Sequence, residues 1–489
     1  MGTVIGVSGL AHDGALAVMR DSEIVFAAHA ERYSRTKNDP FLNHALVEDA
    51  LQYADHITDV VFYERPRLRK IRQVCSGQLS AVDGRLPAHY LKQFPDLAQS
   101  PLKVVPHHRA HAAGAYFSSP FRDAAVVVVD AIGEWDTLTV WRGNGRNLRR
   151  IYSLRYPHSI GLFYSAFTQR AGLKPNEEEY IFMGMAAYGE PRHRDLIRRE
   201  IVEDCTAPAF RLRRRLHRGL GNWHPEITDN LDLAASVQSI VEDYLTGLFT
   251  WVRKSVPSRN LVYSGGVAFN CVFNGKLASM HLFDSIWIPP NPGDSGSAVG
   301  AILAHRADFL PWPGPYLGTG IQRPVDVGRL AKELAAGQIV GLANGRAEYG
   351  PRALGNRSLL ADPRGPEVKA RVNDIKHRQQ FRPFAPVVME EYADRYFEMP
   401  LDETPYMQYV VRCRDSAAYP AICHVDGTSR VQTVRRDQNS LLYSLLEQFR
   451  ELTGCAMLLN TSLNIRGEPI VNTWDQAAEF GRRYDVPVY

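Results

Sequence analysis

Two histidines four residues apart, His107 and His111 in the run HHRAH, have types and spacing that point to chemistry. On a helix, that spacing stacks both imidazoles on one face, within reach of a single metal ion, and turns His108 elsewhere. Paired imidazoles suit Zn, Fe, Co or Ni better than Mg or Ca. The bland alternative is one histidine at a helix start and one in the core. A far downstream acid, Asp294 in NPGDSGSA, shifts the balance. Two imidazoles and a carboxylate leave positions open for water or substrate, as a catalytic metal needs. Asp294 also sits where a helix begins, so a plain N-cap is its competing role.

These residues need a scaffold. Val4 to Val7 and Ala15 to Met19 read as two strands of a hairpin whose loop carries His12 and Asp13 among glycines. Such a loop lets backbone amides approach a phosphate, although Asp-Gly is also an ordinary turn. A third strand, Ile24 to Ala28, leads to Glu31-Arg32-Tyr33 and Arg35-Thr36-Lys37, a charged cluster expected to be solvated surface. The pattern returns near residue 125. Ala125 to Val129 has no polar break, as in a strand covered on both faces, and it ends at Asp130 before a returning strand from Thr137 to Trp141. Strand ends are where α/β ligand sites form. Strand, acidic or glycine loop, strand therefore occurs twice, as in a two-lobed nucleotide-binding fold.

Asp232 to Lys254 carries an apolar stripe of helical period and is core. Leu261 to Tyr263 reads as a strand, followed by Gly265-Gly266 and Asn270. That order can set a helix N-terminus against a nucleotide, and it is also a common αβ junction. A strand at Trp287 to Pro290 precedes Asp294, and a helix runs from Ala298 to His305. The Pro/Gly-rich stretch Phe309 to Pro324 reads as irregular and inter-domain. Beyond it, Arg352, Lys376, Arg378, Arg430, Asn460 and Ser462 stand among glycine, proline and aromatic residues. Arginines in that setting look like oriented phosphate or carboxylate clamps rather than a solvated run, whose alternative is pairing with nearby acids. No nucleophilic triad and no Walker-type loop is present.

The totals fit an ordinary soluble globular protein. A length of 489 residues suggests two or three domains. A net charge of +4 gives no support for a nucleic-acid-coating surface. Six scattered cysteines without a CxxC pair indicate neither a zinc ribbon nor a disulfide scaffold, and a reducing cytoplasm with inert thiols is expected. No signal peptide, membrane span or myristoylation signal is read. Composition carries no signal of oligomeric state.

Taken in order, AHDGALAV, ERYSRTKND, HHRAHAAGAYF, VVVVDAIGEW, YIFMGMAAYG, SGGVAFNCVFNGKL, PPNPGDSGSAVGA, YGPRALGNRSLLADPR, IKHRQQFRPFAPVV, HVDGTSRVQT and LLNTSLNIRGEPIVNT resemble the O-carbamoyltransferases of the NodU/CmcH family. The resemblance implies an α/β protein: a duplicated actin/Hsp70-like domain over 1–312, a linker at 313–324 and a YrdC-like α/β domain over 325–489. It implies carbamoyl adenylate made from carbamoyl phosphate and ATP, then transfer of the carbamoyl group to a hydroxyl of a small-molecule acceptor. Iron(II), or another divalent metal such as Mn, Zn or Mg, would rest on His107, His111 and Asp294, with Asp130 as an extra ligand. Gly265, Gly266, Asn270 and Gly293 would meet the nucleotide. Arg352, Lys376, Arg378, Arg430, Asn460 and Ser462 would hold carbamoyl phosphate. His12 would be the general base on the acceptor, with Asp13 beside it and Lys37 assisting. Gln379 stands where a glutamate is expected, DAIGEW replaces a commoner DG-type loop, and the chain stops soon after Trp474. The competing readings are a tRNA threonylcarbamoyladenosine-type enzyme and a non-catalytic nucleotide-binding regulator of the actin/Hsp70 type. Neither a nucleic-acid nor a membrane partner is expected.

Overall fold

The computed structural model describes residues 2–77 and 86–489. It contains two compact units, Met1–Ala27 with Pro40–Trp312, and Ala28–Asp39 with Pro313–Tyr489.

In the first unit, strands Thr3–Ser8, Ala15–Arg20 and Glu23–His29 run one after another, and the first two pair antiparallel with Val7 opposite Leu16. Ile57–Phe62 then pairs parallel with Thr3–Ser8, and Leu102–Val104 pairs parallel with Ile57–Phe62. Counted along the chain, the sheet order is third, second, first, fourth, fifth. Asp123–Val129, Asp136–Asn144 and Asn147–Arg155 form a second antiparallel meander. Asn260–Ser264 and Ser285–Trp287 add to it in parallel, and the order is the same. The repeat read in the sequence is thus a shared strand topology. Ala124 to Val129 are fully buried, which explains a strand without polar alternation.

The long helix Asn230–Ser255 extends the expected one slightly at each end. Asp229 caps it, accepting from the amides of Leu231 at 2.8 Å and Asp232 at 3.2 Å. Two shorter helices matter more for the site. His107–Phe117 follows the strand Leu102–Val104, and Ser297–Arg306 follows Ser285–Trp287. They cross backbone to backbone at two glycines. A Cβ on Gly114 would lie 2.8 Å from the Gly300 Cα, and one on Gly300 would lie 2.3 Å from the Ala110 carbonyl oxygen. This contact brings Asp294, just ahead of the second helix, over His111 on the first.

The second unit is built on a five-stranded sheet in the order Val340–Ala343, Arg357–Ala361, Met457–Ser462, Ala385–Met389, Gln432–Val434. Its pairs are antiparallel except the last. Phe397–Glu398, Val410–Cys413 and Thr428–Arg430 form a small antiparallel sheet. The Phe309 to Pro324 stretch is less irregular than expected. It holds the strand Tyr316–Ile321, antiparallel to Gly345–Glu348. Gly318 and Gly320 leave two side-chain positions blank, which hides the alternation. The charged cluster at 31–37 also differs from a solvated surface. Arg32 is only 2% exposed and donates to the Gly350 carbonyl at 3.1 Å. Arg35 donates to the carbonyls of Pro469 and Ile470, both at 2.7 Å. Backbone carbonyls accept from both guanidiniums, and no charge pattern reveals such partners.

Replacing Gly300 by Val should force the two helices apart, because backbone atoms cannot yield as a flexible side chain would. We expect a loss of about 1–3 kcal/mol of stability, read as a lower urea midpoint. A midpoint equal to wild type would contradict the close crossing.

Candidate metal centre

The helix His107–Phe117 begins immediately after Pro106, which supplies no side-chain cap. The Glu134 carboxylate takes over that task from another loop. One of its oxygens accepts from the His107 amide at 3.1 Å and the Arg65 amide at 2.8 Å. An anion at a helix N-terminus is favourable, and this one fixes the turn that carries His107. Gly133 beside it leaves room for the ring, since a Cβ there would sit 2.9 Å from the His107 Cδ2.

His107, His111, Asp130 and Asp294 each offer one ligand atom, all within 4.8 Å of one another. The two Nε2 atoms are 3.1 Å apart. Asp130 Oδ2 lies 3.1 Å from His107 Nε2, and Asp294 Oδ1 lies 3.2 Å from His111 Nε2. The donor set fits a divalent cation of the first transition row. The Nδ1 of His111 lies 3.1 Å from the Pro292 carbonyl oxygen, so it carries the proton and leaves the Nε2 lone pair facing the cluster. The same carbonyl accepts from the Gly265 amide at 2.9 Å and the Ser264 hydroxyl at 3.1 Å. Asp130 Oδ1 accepts from the Gly266 amide at 3.0 Å. His108 points away, with Nδ1 3.0 Å from the Thr139 hydroxyl.

Electrostatics agree with a cation site. Burial works against a charge on His107, but the carboxylates of Asp294 and Asp130 outweigh it and push its pKa up to about 10. Asp130 is held far below the usual carboxylate range by its histidine neighbours, against the effect of burial. His12 behaves like His107. Burial opposes its charge, while the bond to Asp13 and the charges of Asp294 and Asp130 raise it to about 9. Its Nδ1 lies 3.0 Å from Asp13 Oδ2. The loop that carries it is pinned where the Leu10 amide donates to the Pro40 carbonyl at 2.8 Å and Arg69 donates to the Leu10 carbonyl at 3.2 Å.

Other expected site residues have visible structural work. Gly265 has φ of +94°, and a Cβ there would lie 2.3 Å from the Val129 carbonyl oxygen. Asn270 caps the helix Cys271–Ser279, accepting from the Phe273 amide at 3.1 Å. A Cβ on Gly293 would lie 2.8 Å from the Phe269 ring. Sequence reasoning passed over Glu134, Glu64 and Tyr63. Glu64 pairs with Arg69, and burial raises its pKa. The fully buried Tyr63 ring packs 5.2 Å from that of His107. The only signal for them was acidic and aromatic residues at strand ends.

In the second unit, Lys376 is buried and its ammonium donates to Ser462, at the carbonyl and, at 3.3 Å, the hydroxyl. It also donates to the Asn464 carbonyl at 2.9 Å. Burial lowers its pKa well below the usual value, and the charges of Arg378, Arg382 and Lys37 add to that. Its hydrogen-bond partners among the described residues are neutral carbonyl, hydroxyl and amide oxygens of Ser462 and Asn464. Arg378 donates to Asn373 Oδ1 at 2.6 Å and stacks 4.0 Å over the Phe384 ring. Asn460 Nδ2 reaches the Ala353 carbonyl at 3.3 Å, next to Arg352, and Gln432 at 2.7 Å. The loop around Arg352 is shaped by Glu348, whose Oε1 accepts from the amides of Leu354, Asn356 and Arg357 at 2.8, 2.9 and 3.3 Å. Arg430 lies opposite Val410 in the small sheet. The structure thus joins Lys376 to Ser462 and Asn460 to the Arg352 loop.

Metal analysis after dialysis against a divalent transition metal should find about one ion per chain. His111→Ala or Asp294→Ala should weaken it by about tenfold or more. Binding must expel the proton that His107 holds below about 10, so apparent affinity should rise from pH 6 to pH 8 with measurable proton release. Equal affinity at both pH values would refute the ligand assignment of His107.

Residues 81–303 match the carbamoyltransferase N-terminus family and residues 331–488 the carbamoyltransferase C-terminus family. An uncharacterised protein of Synechocystis sp. is 34% identical, with 97% of this chain and 93% of that one covered. Nodulation protein NolNO of Sinorhizobium fredii is 32% identical, with 94% and 75% covered. The 3'-hydroxymethylcephem-O-carbamoyltransferase of Amycolatopsis lactamdurans is 29% identical, with 94% and 93% covered. On these matches, which span both compact units, the chain belongs to the carbamoyltransferase family and is an enzyme of that class.

Proposed function

We propose that this carbamoyltransferase is ATP-dependent and works in two steps, with a small-molecule alcohol as acceptor. In the first, carbamoyl phosphate, ATP and water give carbamoyl adenylate, phosphate and pyrophosphate. In the second, the acceptor oxygen bonds to the carbamoyl carbon, the carbon–oxygen bond to AMP breaks, and the hydroxyl proton leaves to a base. The observation that carries the reading is the Lys376 amine, buried among neighbouring cations and hydrogen-bonded only to neutral oxygens among the described residues. Such a site favours a small anion such as carbamoyl phosphate. Arg352, Arg378 and Arg430 add charge, while Asn460 and Ser462 orient the ligand. Lys37, which acts electrostatically on Lys376, belongs to the same group. The shared order of the two first-unit sheets supports an actin/Hsp70-like duplication, with the nucleotide near Gly265, Gly266, Asn270 and Gly293. The second unit is assigned as YrdC-like.

In the transfer step, His12 takes the acceptor proton and Asp13 orients its ring through the bond at Nδ1. Its high pKa reflects partly the charges of Asp130 and Asp294, so neutralising those carboxylates readies it as a base. When bound by His107, His111, Asp130 and Asp294, a divalent cation supplies Lewis acidity toward a phosphate or carbamoyl oxygen. The acceptor class follows the Amycolatopsis relative, whose name specifies a hydroxymethyl group.

Incubation with ATP and carbamoyl phosphate should yield AMP and pyrophosphate, and the absence of both would sink the proposal. Arg352→Ala should lose adenylate formation. His12→Asn should keep it while transfer falls by about 10²–10⁴-fold. Transfer at the wild-type rate in His12→Asn would remove the base assignment.

A further inference from the structure

We propose that Cys413 and Cys423 form a reversible intrachain disulfide, an oxidation site separate from the carbamoyl chemistry. Their sulfurs lie 2.6 Å apart, closer than two unbonded sulfurs in contact and near the bond length of about 2.05 Å. The approach is set by the backbone on both sides. Cys413 ends the strand Val410–Cys413, and its amide donates to the Gly427 carbonyl at 2.9 Å. The amides of Ile422 and Cys423 donate to the Tyr419 carbonyl at 3.2 and 3.3 Å. The Ser429 hydroxyl, on the neighbouring strand Thr428–Arg430, holds the Ile422 carbonyl at 2.7 Å. These hydrogen bonds hold the two cysteine-bearing segments side by side, with the sulfurs facing each other. Scattered sequence positions gave no hint of it, and the inert-thiol expectation does not extend to this pair.

Both thiols are largely buried, at 9% and 7% exposure, so a small oxidant is required. With hydrogen peroxide, one thiolate attacks a peroxide oxygen, giving a sulfenic acid and, after proton transfer, water. The second thiolate attacks the sulfenic sulfur, the S–S bond forms and hydroxide leaves as a second water. Two thiols and one peroxide thus give one disulfide and two waters, and a dithiol reverses the change. The bond would close the loop 414–422. Within that loop the Ala421 carbonyl accepts from the Phe384 amide at 3.2 Å, and Phe384 supports Arg378. Oxidation would therefore brace one wall of the region assigned above to carbamoyl phosphate. That consequence alone rests on the functional reading.

The test is non-reducing peptide mapping of the full chain after peroxide treatment, unfolding and alkylation of remaining thiols. Peroxide is raised until the exposed Cys75 is oxidised, which serves as the internal control. The expected result is a peptide pair joined through Cys413 and Cys423, two hydrogens lighter than the free peptides and separated by dithiothreitol. Cys413→Ser should lack the pair, and so should Cys423→Ser. Alkylation of both cysteines while Cys75 is fully oxidised would overturn the proposal. So would a disulfide joining either one to a different cysteine. Neither result bears on whether ATP and carbamoyl phosphate react.

Discussion

A single backbone oxygen, the carbonyl of Pro292, underlies the arrangement of the candidate metal centre. It accepts from the imidazole of His111, the amide of Gly265 and the hydroxyl of Ser264. Each such bond is worth only about 1 kcal/mol net. Their shared acceptor matters more than their sum. It fixes the tautomer of one ligand, places the turn whose next residue, Gly266, holds Asp130, and anchors the loop that carries Asp294. Three candidate ligands from three distant segments thus answer to one atom. The glycine crossing at Gly114 and Gly300 then brings the helices close enough for that atom to be reached.

The two units have opposite electrostatic characters. In the first, two carboxylates and two imidazoles converge, and the carboxylates drive a proton onto His107 against the cost of burial. In the second, burial and neighbouring cations oppose the charge on Lys376. A concentrated negative field favours a cation and a concentrated positive one an anion, which is the basis of the two proposed assignments. Neither field is visible in the formal net charge of the chain, which is only +4.

Much of this was legible before any coordinates. Helical spacing alone put His107 and His111 together, and strand-end position singled out Asp130. Asp294, 183 residues from His111, is suggested by the chemistry of imidazole pairs completed by a carboxylate, and the structure brings it within 3.2 Å of His111 Nε2. What stayed hidden has a common cause. Pro292 acts through its carbonyl, and a backbone atom has no residue-type signature. Glu134 caps a helix distant in sequence, so no local capping pattern marks it. Arg32 looked solvated because its carbonyl partner, Gly350, lies 318 positions away. Asn270 shows the converse, since a residue type suited to a ligand is also suited to a cap. The strand at Tyr316–Ile321 escaped because its glycines carry no side chains to alternate.

The short excursion Ala28–Asp39 belongs with the C-terminal unit although the chain returns to the first at Pro40. The two units are therefore stitched by three covalent passages rather than one. A polypeptide beginning at Pro313 would lack Arg32 and Arg35, and with them the donors that tie down Gly350, Pro469 and Ile470. A cut at Pro313 would therefore leave three backbone carbonyls of the C-terminal unit without the guanidinium donors they have in the whole chain.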